Sequence, residues 1–129
     1  MKKALMIAVG ITLLIVLTGI VVFLTARHLA YVRVERLTEL HAHEFAAVIQ
    51  EVARDQYQQF SDEPIDYYKV FHYVPDEAKL FVVVRFKNGN RNGLYIYLER
   101  SSGEWQIAKY ELVWASYGST DGGTWPPYW

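Results

Sequence analysis

His41, His43 and Glu44 are the most compact group of metal-ligand side chains in this chain of 129 residues. On a helix, His41 and Glu44 lie one turn apart on a shared side, while His43 points well away from His41. A zinc site needs further ligands at recognisable spacing, and the sequence signals none. The three therefore read as structural polar residues, with His41 a hydrogen-bonded histidine at a helix interface. Asp62, Glu63 and Asp66 form a second cluster. Paired carboxylates do acid/base work when their environments separate their pKa values, but next to Pro64 these read as a solvated turn. The chain has no G-x-S-x-G elbow, P-loop, G-x-G-x-x-G after a strand or H-E-x-x-H. With no cysteine there is no thiol catalysis, disulfide framework or Cys-ligated metal. The expectation is a protein with no catalytic residues, no metal and no cofactor.

Binding chemistry is better represented. Arg85, Tyr95, Tyr97, Trp105 and Lys109 are spaced to share one face of a sheet, and Tyr, Trp and Arg are the residue types enriched where binding energy concentrates. Behind them comes a tail, residues 117–129, in which glycines precede Trp125-Pro126-Pro127-Tyr128-Trp129. The Pro-Pro pair favours an extended polyproline strip carrying Trp125, Tyr128 and Trp129. Either the strip folds back over the aromatic face of its own sheet, or strip and face serve a partner.

The charge balance, 13 Lys+Arg against 14 Asp+Glu, lacks the basic excess of a nucleic-acid binder. Ala4 to Ala26 is uncharged, flanked by Lys2 and Lys3 before it and by Arg27 and His28 after it. A stretch of this length exceeds the about 20 apolar residues that a membrane span needs and the roughly 7 to 15 of a cleavable signal core. Leu24 and His28 occupy slots where a cleavage site wants small residues, so residues 1–26 read as a signal anchor. Basic residues are nearly tied across the segment. The Met-Lys-Lys start leading into an apolar core favours the N-terminus inside and the domain outside the cytoplasm, in a single-pass cell-membrane protein. Ala4, Ala8 and Thr12 recur on one side of the segment, a spacing that favours packing of two copies.

What must position the binding residues follows from periodicity. Arg27 to Phe60 contains no Gly or Pro, and Ala30, Val34, Leu37, His41, Phe45, Val48 and Val52 fall on one face, so the segment predicts a long helix ended by Ser61-Asp62-Glu63-Pro64. Nothing breaks the chain between it and the apolar segment, so the two can run on as one helix. Ile65–Val74, Lys79–Lys87, Leu94–Arg100 and Glu104–Ala115 then alternate with period two and read as four strands, and the short connectors imply an antiparallel meander. Strict alternation assigns Leu80, Val82, Val84, Phe86, Leu94, Ile96, Leu98, Ala108, Tyr110, Leu112 and Trp114 to the helix-covered face. It leaves Phe81, Val83, Arg85, Tyr95, Tyr97, Trp105, Ile107 and Lys109 opposite, with some of Tyr67, Lys69, Phe71 and Tyr73.

The layout of residues 2 to 116, a Lys-flanked anchor, a long helix and a four-stranded meander, resembles small membrane-anchored bacterial proteins with cystatin-like or NTF2-like domains. The resemblance implies an α+β domain, residues 27–116, whose helix is cradled by a curved sheet, and an accessory or binding role. The absence of further N-terminal helices departs from the fuller NTF2-like pattern. The expected function is a non-catalytic module that binds another envelope protein, with a small-molecule or glycan pocket between helix and sheet as the alternative.

Overall fold

The computed structural model describes residues 1–54, 59–116 and 124–128. The apolar segment and the amphipathic stretch form one uninterrupted helix, α1 (Lys2–His41). A 3-10 turn (Ala42–Phe45) links it to a short helix, α2 (Ala46–Val52). Four strands follow, β1 (Phe60–Val74), β2 (Glu77–Phe86), β3 (Arg91–Ser101) and β4 (Glu104–Ala115), paired antiparallel in the order β1-β2-β3-β4. The fold is α+β, as the sequence predicts, with one N-terminal helix long and apolar enough to cross a membrane. Residues 1–26 are exposed throughout.

The helical region ends earlier than the sequence predicts. The α-helix stops at Val52, and Phe60 already lies in β1, paired with Phe86. Pro64, expected to end the helix, sits inside β1 where the ladder to β2 is irregular between Phe60 and Ile65. Edge strands and bulges are where a sheet tolerates a residue without an N–H.

One core lies between the helices and the sheet. Phe45, Val48, Ile49 and Val52 pack there on Val70, Ala78, Leu80, Val82, Val84, Ile96 and Leu98. A second core occupies the opposite face, where Val34 of α1 joins Phe71, Phe81, Val83, Val113 and Trp114. The two cores coexist because α1 runs along the edge of the sheet. Val34 reaches one face and Leu37 the other. Thr38 closes that edge: its hydroxyl accepts from the Val70 backbone N–H at 2.9 Å and donates to the Val34 carbonyl at 2.8 Å. An edge-strand N–H that would otherwise face solvent or another chain is thereby satisfied.

Register shifts alter the predicted faces. β3 and β4 lose step between Gly93 and Leu94 and again between Tyr97 and Leu98, and β1 and β2 between Val70 and His72. Each extra residue inverts the alternation beyond it. Trp105 and Ile107 consequently pack on the helix side, not on the opposite face, and Trp114 packs on the opposite face, not under the helix. Tyr73 likewise joins the helix-side core.

Candidate functional site

Pairing across the sheet sets His72 opposite Lys79, Lys79 opposite Tyr97, and Tyr97 opposite Lys109. This row lies on the face away from α2, next to the Phe81 core. The Lys79 ammonium stands 3.9 Å from the centre of the Tyr95 ring and 5.4 Å from that of Tyr97, and the Lys109 ammonium is 5.4 Å from the Tyr97 ring. Such contacts hold cations over ring faces and pre-order them. Tyr97 donates its hydroxyl to Glu111 at 2.9 Å. Burial, and secondarily the Glu111 carboxylate, raises the Tyr97 pKa, so the phenol stays a donor at neutral pH. Tyr95 is raised mainly by burial. It packs edge-on to Phe71 and Phe81, with centroids 5.6 and 5.9 Å apart.

Arg85 is farther along the same face and is engaged with Asp66, whose other oxygen accepts from Arg91 at 2.9 Å. Tyr95, Tyr97 and Lys109 therefore come together, Arg85 lies to one side, and Trp105 is on the other side of the sheet.

The tail residues among those described return to the chain's own surface. Tyr128 inserts between α1 and the sheet, with ring centroids 5.3 Å from Tyr31, 5.8 Å from Phe71 and 6.1 Å from Phe81. Its hydroxyl donates to Glu35 at 2.8 Å, and its carbonyl accepts from the Trp114 indole at 3.1 Å. Burial, and then the Glu35 carboxylate, drives the Tyr128 pKa far upward. Glu35 is held below the usual carboxylate range, first by its bond to Lys69, against burial and with help from Tyr128. Trp125 meets Phe23 of α1, with centroids 5.6 Å apart. Trp129 lies outside the described residues.

Strict alternation did not foresee a second cluster, on the helix side. Glu44 accepts from Tyr73 at 2.8 Å and from Arg100 at 2.8 Å, and lies 3.4 Å from both the Trp105 indole nitrogen and His41 Nδ1. The His41 ring stacks on Tyr73 at 3.6 Å, and Arg100 lies over Trp105 at 4.3 Å. Burial pulls the Glu44 pKa up, but the bonds from Tyr73, His41 and Trp105 with the Arg100 charge outweigh it, so the net shift is downward. Burial and the bond to Glu44 raise Tyr73. The bulges bring Tyr73 and Trp105 to Glu44, and bulges leave little trace in a sequence pattern. A carboxylate so fully bonded fixes the 3-10 turn to the sheet. Among the described residues, no three His, Asp or Glu side chains converge as a metal site would need.

Asp62 and Glu63 are exposed in β1, and the Thr12 hydroxyl is spent within α1, on the Ala8 carbonyl at 3.0 Å. Compared with protein-family models, with curated proteins and with solved structures, the chain matches none.

Proposed function

We propose that the chain is a non-catalytic binding module, tethered in a cell membrane by α1 with its N-terminus inside, whose sheet face engages another envelope protein. The observation that carries this reading is the row Lys79, Tyr97 and Lys109. Cations are ordered over aromatic rings there, on the face opposite α2. Aromatic rings give contact area at little entropic cost, and the ammonium groups suit an acidic segment on the partner. Tethering raises the effective concentration of both proteins at the membrane, so a weak contact suffices.

The test is photo-cross-linking in intact cells from a reactive residue at Lys109, compared with one at Asn88 in the β2–β3 turn. The reading expects a discrete adduct from position 109 that Lys79→Glu abolishes. The same adducts from both positions, or adducts insensitive to Lys79→Glu, refute it. The side of the membrane is read with Gln106→Cys in this cysteine-free chain. A membrane-impermeant maleimide labels intact cells if the domain is outside.

A cavity favours a second reading, a small-molecule binder. About 490 Å³ lies between the end of α2 and the sheet, lined by Val52, Phe60, Val84, Phe86 and Leu94 with Glu51, Arg54, Asn92 and Tyr110. The volume is within the range of ligand pockets, about 300–1,000 Å³, and the Asn92 side-chain oxygen is shielded with no partner among the described residues. A screen of amphipathic small molecules by thermal shift separates the readings: a hit lost in Leu94→Trp, which fills the cavity, supports this one.

A further inference from the structure

Resting on the reading of α1 as a membrane span, we propose that the turn Phe23–Arg27 and the returning tail form a seat in the lipid headgroup layer, with Trp125 at the interface and Arg27 binding a phospholipid phosphate. The depth follows from the length of the helix. Ala4 to Ala26, 23 residues, extends about 35 Å at about 1.5 Å per residue, against a hydrocarbon core of about 30 Å. The last turn of the apolar stretch thus emerges at the headgroup boundary. Phe23 is in that turn, and the ring packed against it is Trp125, which remains 46% exposed. Tryptophan prefers this depth, its indole apolar in body and polar at one edge.

The tail is pinned in that position from above. Tyr31, two turns beyond Phe23, donates its hydroxyl to the Pro127 carbonyl and packs edge-on to Tyr128. Thr124, buried at the start of the described tail, bonds the Pro126 carbonyl at 2.6 Å and the Tyr128 N–H at 2.7 Å. The residues on either side of Trp125 are thereby fixed to each other and to α1, and Trp125 is left pointing to the membrane end.

Arg27 is one turn beyond Phe23, at the level where lipid phosphates lie. Its guanidinium is 5.5 Å from the Tyr31 ring, and among the described residues no carboxylate pairs with it and its solvent-shielded Nε has no partner. A guanidinium is planar, permanently charged and matched to phosphate oxygens. A phospholipid phosphate is an acceptor of the right chemistry and depth for the other N–H groups of this half-buried guanidinium.

The full chain, reconstituted in nanodiscs containing phosphatidylglycerol, tests this with single spin labels at Leu17→Cys, Trp125→Cys and Gln106→Cys. The seat predicts that position 17 is reached by oxygen, position 106 by a water-soluble nickel complex, and position 125 by each to an intermediate degree. Position 125 as nickel-accessible as position 106, with position 17 still deep, overturns the seat and leaves the span standing. A water-exposed position 17 overturns the span as well. For the phosphate, native mass spectrometry counts phosphatidylglycerol retained by the chain released from the same discs. Arg27→Gln is expected to lower retention about fivefold, the effect of one basic residue at an anionic surface, and Arg27→Lys to restore most of it. Equal retention in all three overturns the assignment of Arg27.

Discussion

Gly93→Ala tests the far-face core and its link to the tail in one step. A Cβ built on Gly93 would lie 2.5 Å from Trp114 Nε1, 2.6 Å from Trp114 Cε2 and 2.9 Å from Phe81 Cε2. Carbon atoms prefer about 3.5–4.0 Å, so the indole must move by roughly 1 Å, and Phe81 behind it is fully buried. Overpacking of this kind costs about 1–3 kcal/mol. The same displacement pulls the Trp114 N–H from the Tyr128 carbonyl, a bond of 3.1 Å worth about 0.5–1.5 kcal/mol. The lower unfolded-state entropy of Ala returns about 0.4–1 kcal/mol. The net expectation is a loss of about 1–3 kcal/mol, which for a domain near 100 residues lowers Tm by roughly 5–20 °C. Tryptophan fluorescence should follow the melt, since helical ellipticity from the apolar part of α1 would mask it. In a Trp114→Ala background the added methyl group has room, so Gly93→Ala should cost far less there, giving a coupling energy of about 1–2 kcal/mol. A single variant that melts at or above the wild-type temperature, or two substitutions that simply add, would refute the packing argued for this face.

Thr38→Val keeps the shape of the side chain but strips the Val70 N–H of its acceptor; a loss of about 1–3 kcal/mol in urea unfolding is expected, with Thr38→Ser nearly neutral. Tyr128→Ala removes a half-buried ring that contacts Tyr31, Phe71 and Phe81 and should cost about 2–3 kcal/mol, whereas Tyr128→Phe forfeits only the bond to Glu35, about 1 kcal/mol. Glu44 is lowered from an ordinary value of 4.5, so its contribution to stability is complete above about pH 4.5 and is lost as pH falls through the lowered folded-state value. Glu44→Gln should be roughly 1–2 kcal/mol less stable at pH 7 and lose less on acidification, with part of the acid slope surviving through Glu35, which is also lowered.

Where the sequence pattern predicts the structure well, packing and local preference agree. Leu80, Val82 and Val84 alternate with Phe81 and Val83, and β2, paired on both sides, keeps that alternation. Glu104 to Ala115 has its predicted ends because Gly103 and the Ala115-Ser116 step bound it. Its faces were not legible, since an added residue near Ala108 and another near Val113 invert the pattern twice, and neither carries a glycine that would betray a bulge. The Glu44 cluster was hidden for the same reason: Tyr73 and Trp105 reach it only after a register shift. The end of the helix was misplaced because Pro64 is the first strong breaker, yet breakers mark where a helix cannot continue and not where tertiary packing stops it. The role of α1 as a cover for the sheet edge depends on Thr38 meeting Val70, residues 32 positions apart, and no local pattern records such a pairing.

On the proposed reading, the order of contacts along α1 sets the height of the proposed binding face above the membrane. Phe23 meets Trp125, Tyr31 meets Pro127, Glu35 holds both Lys69 and Tyr128, Thr38 holds Val70, and His41 stacks on Tyr73. Because α1 has no break between the apolar stretch and His41, these contacts are successive heights on one rod, and the sheet hangs from it by its β1 edge. His72 is beside Tyr73 and opposite Lys79, and Lys79 leads across to Tyr97 and Lys109, so the cation and aromatic row begins beside the top of α1 and runs away from it across the sheet. From Ala26 to His41 is about 22 Å at about 1.5 Å per residue. On the proposed reading, a partner that touches the β1 end of the row would present its acidic segment roughly 20 Å from the end of the span. A rigid tether of that length raises effective concentration only for partners whose own geometry reaches the same height. Lengthening α1 by one full heptad below Tyr31 would keep the helical face nearly in phase while raising the row by about 10 Å, and by this argument it should abolish the adduct from Lys109 without unfolding the sheet.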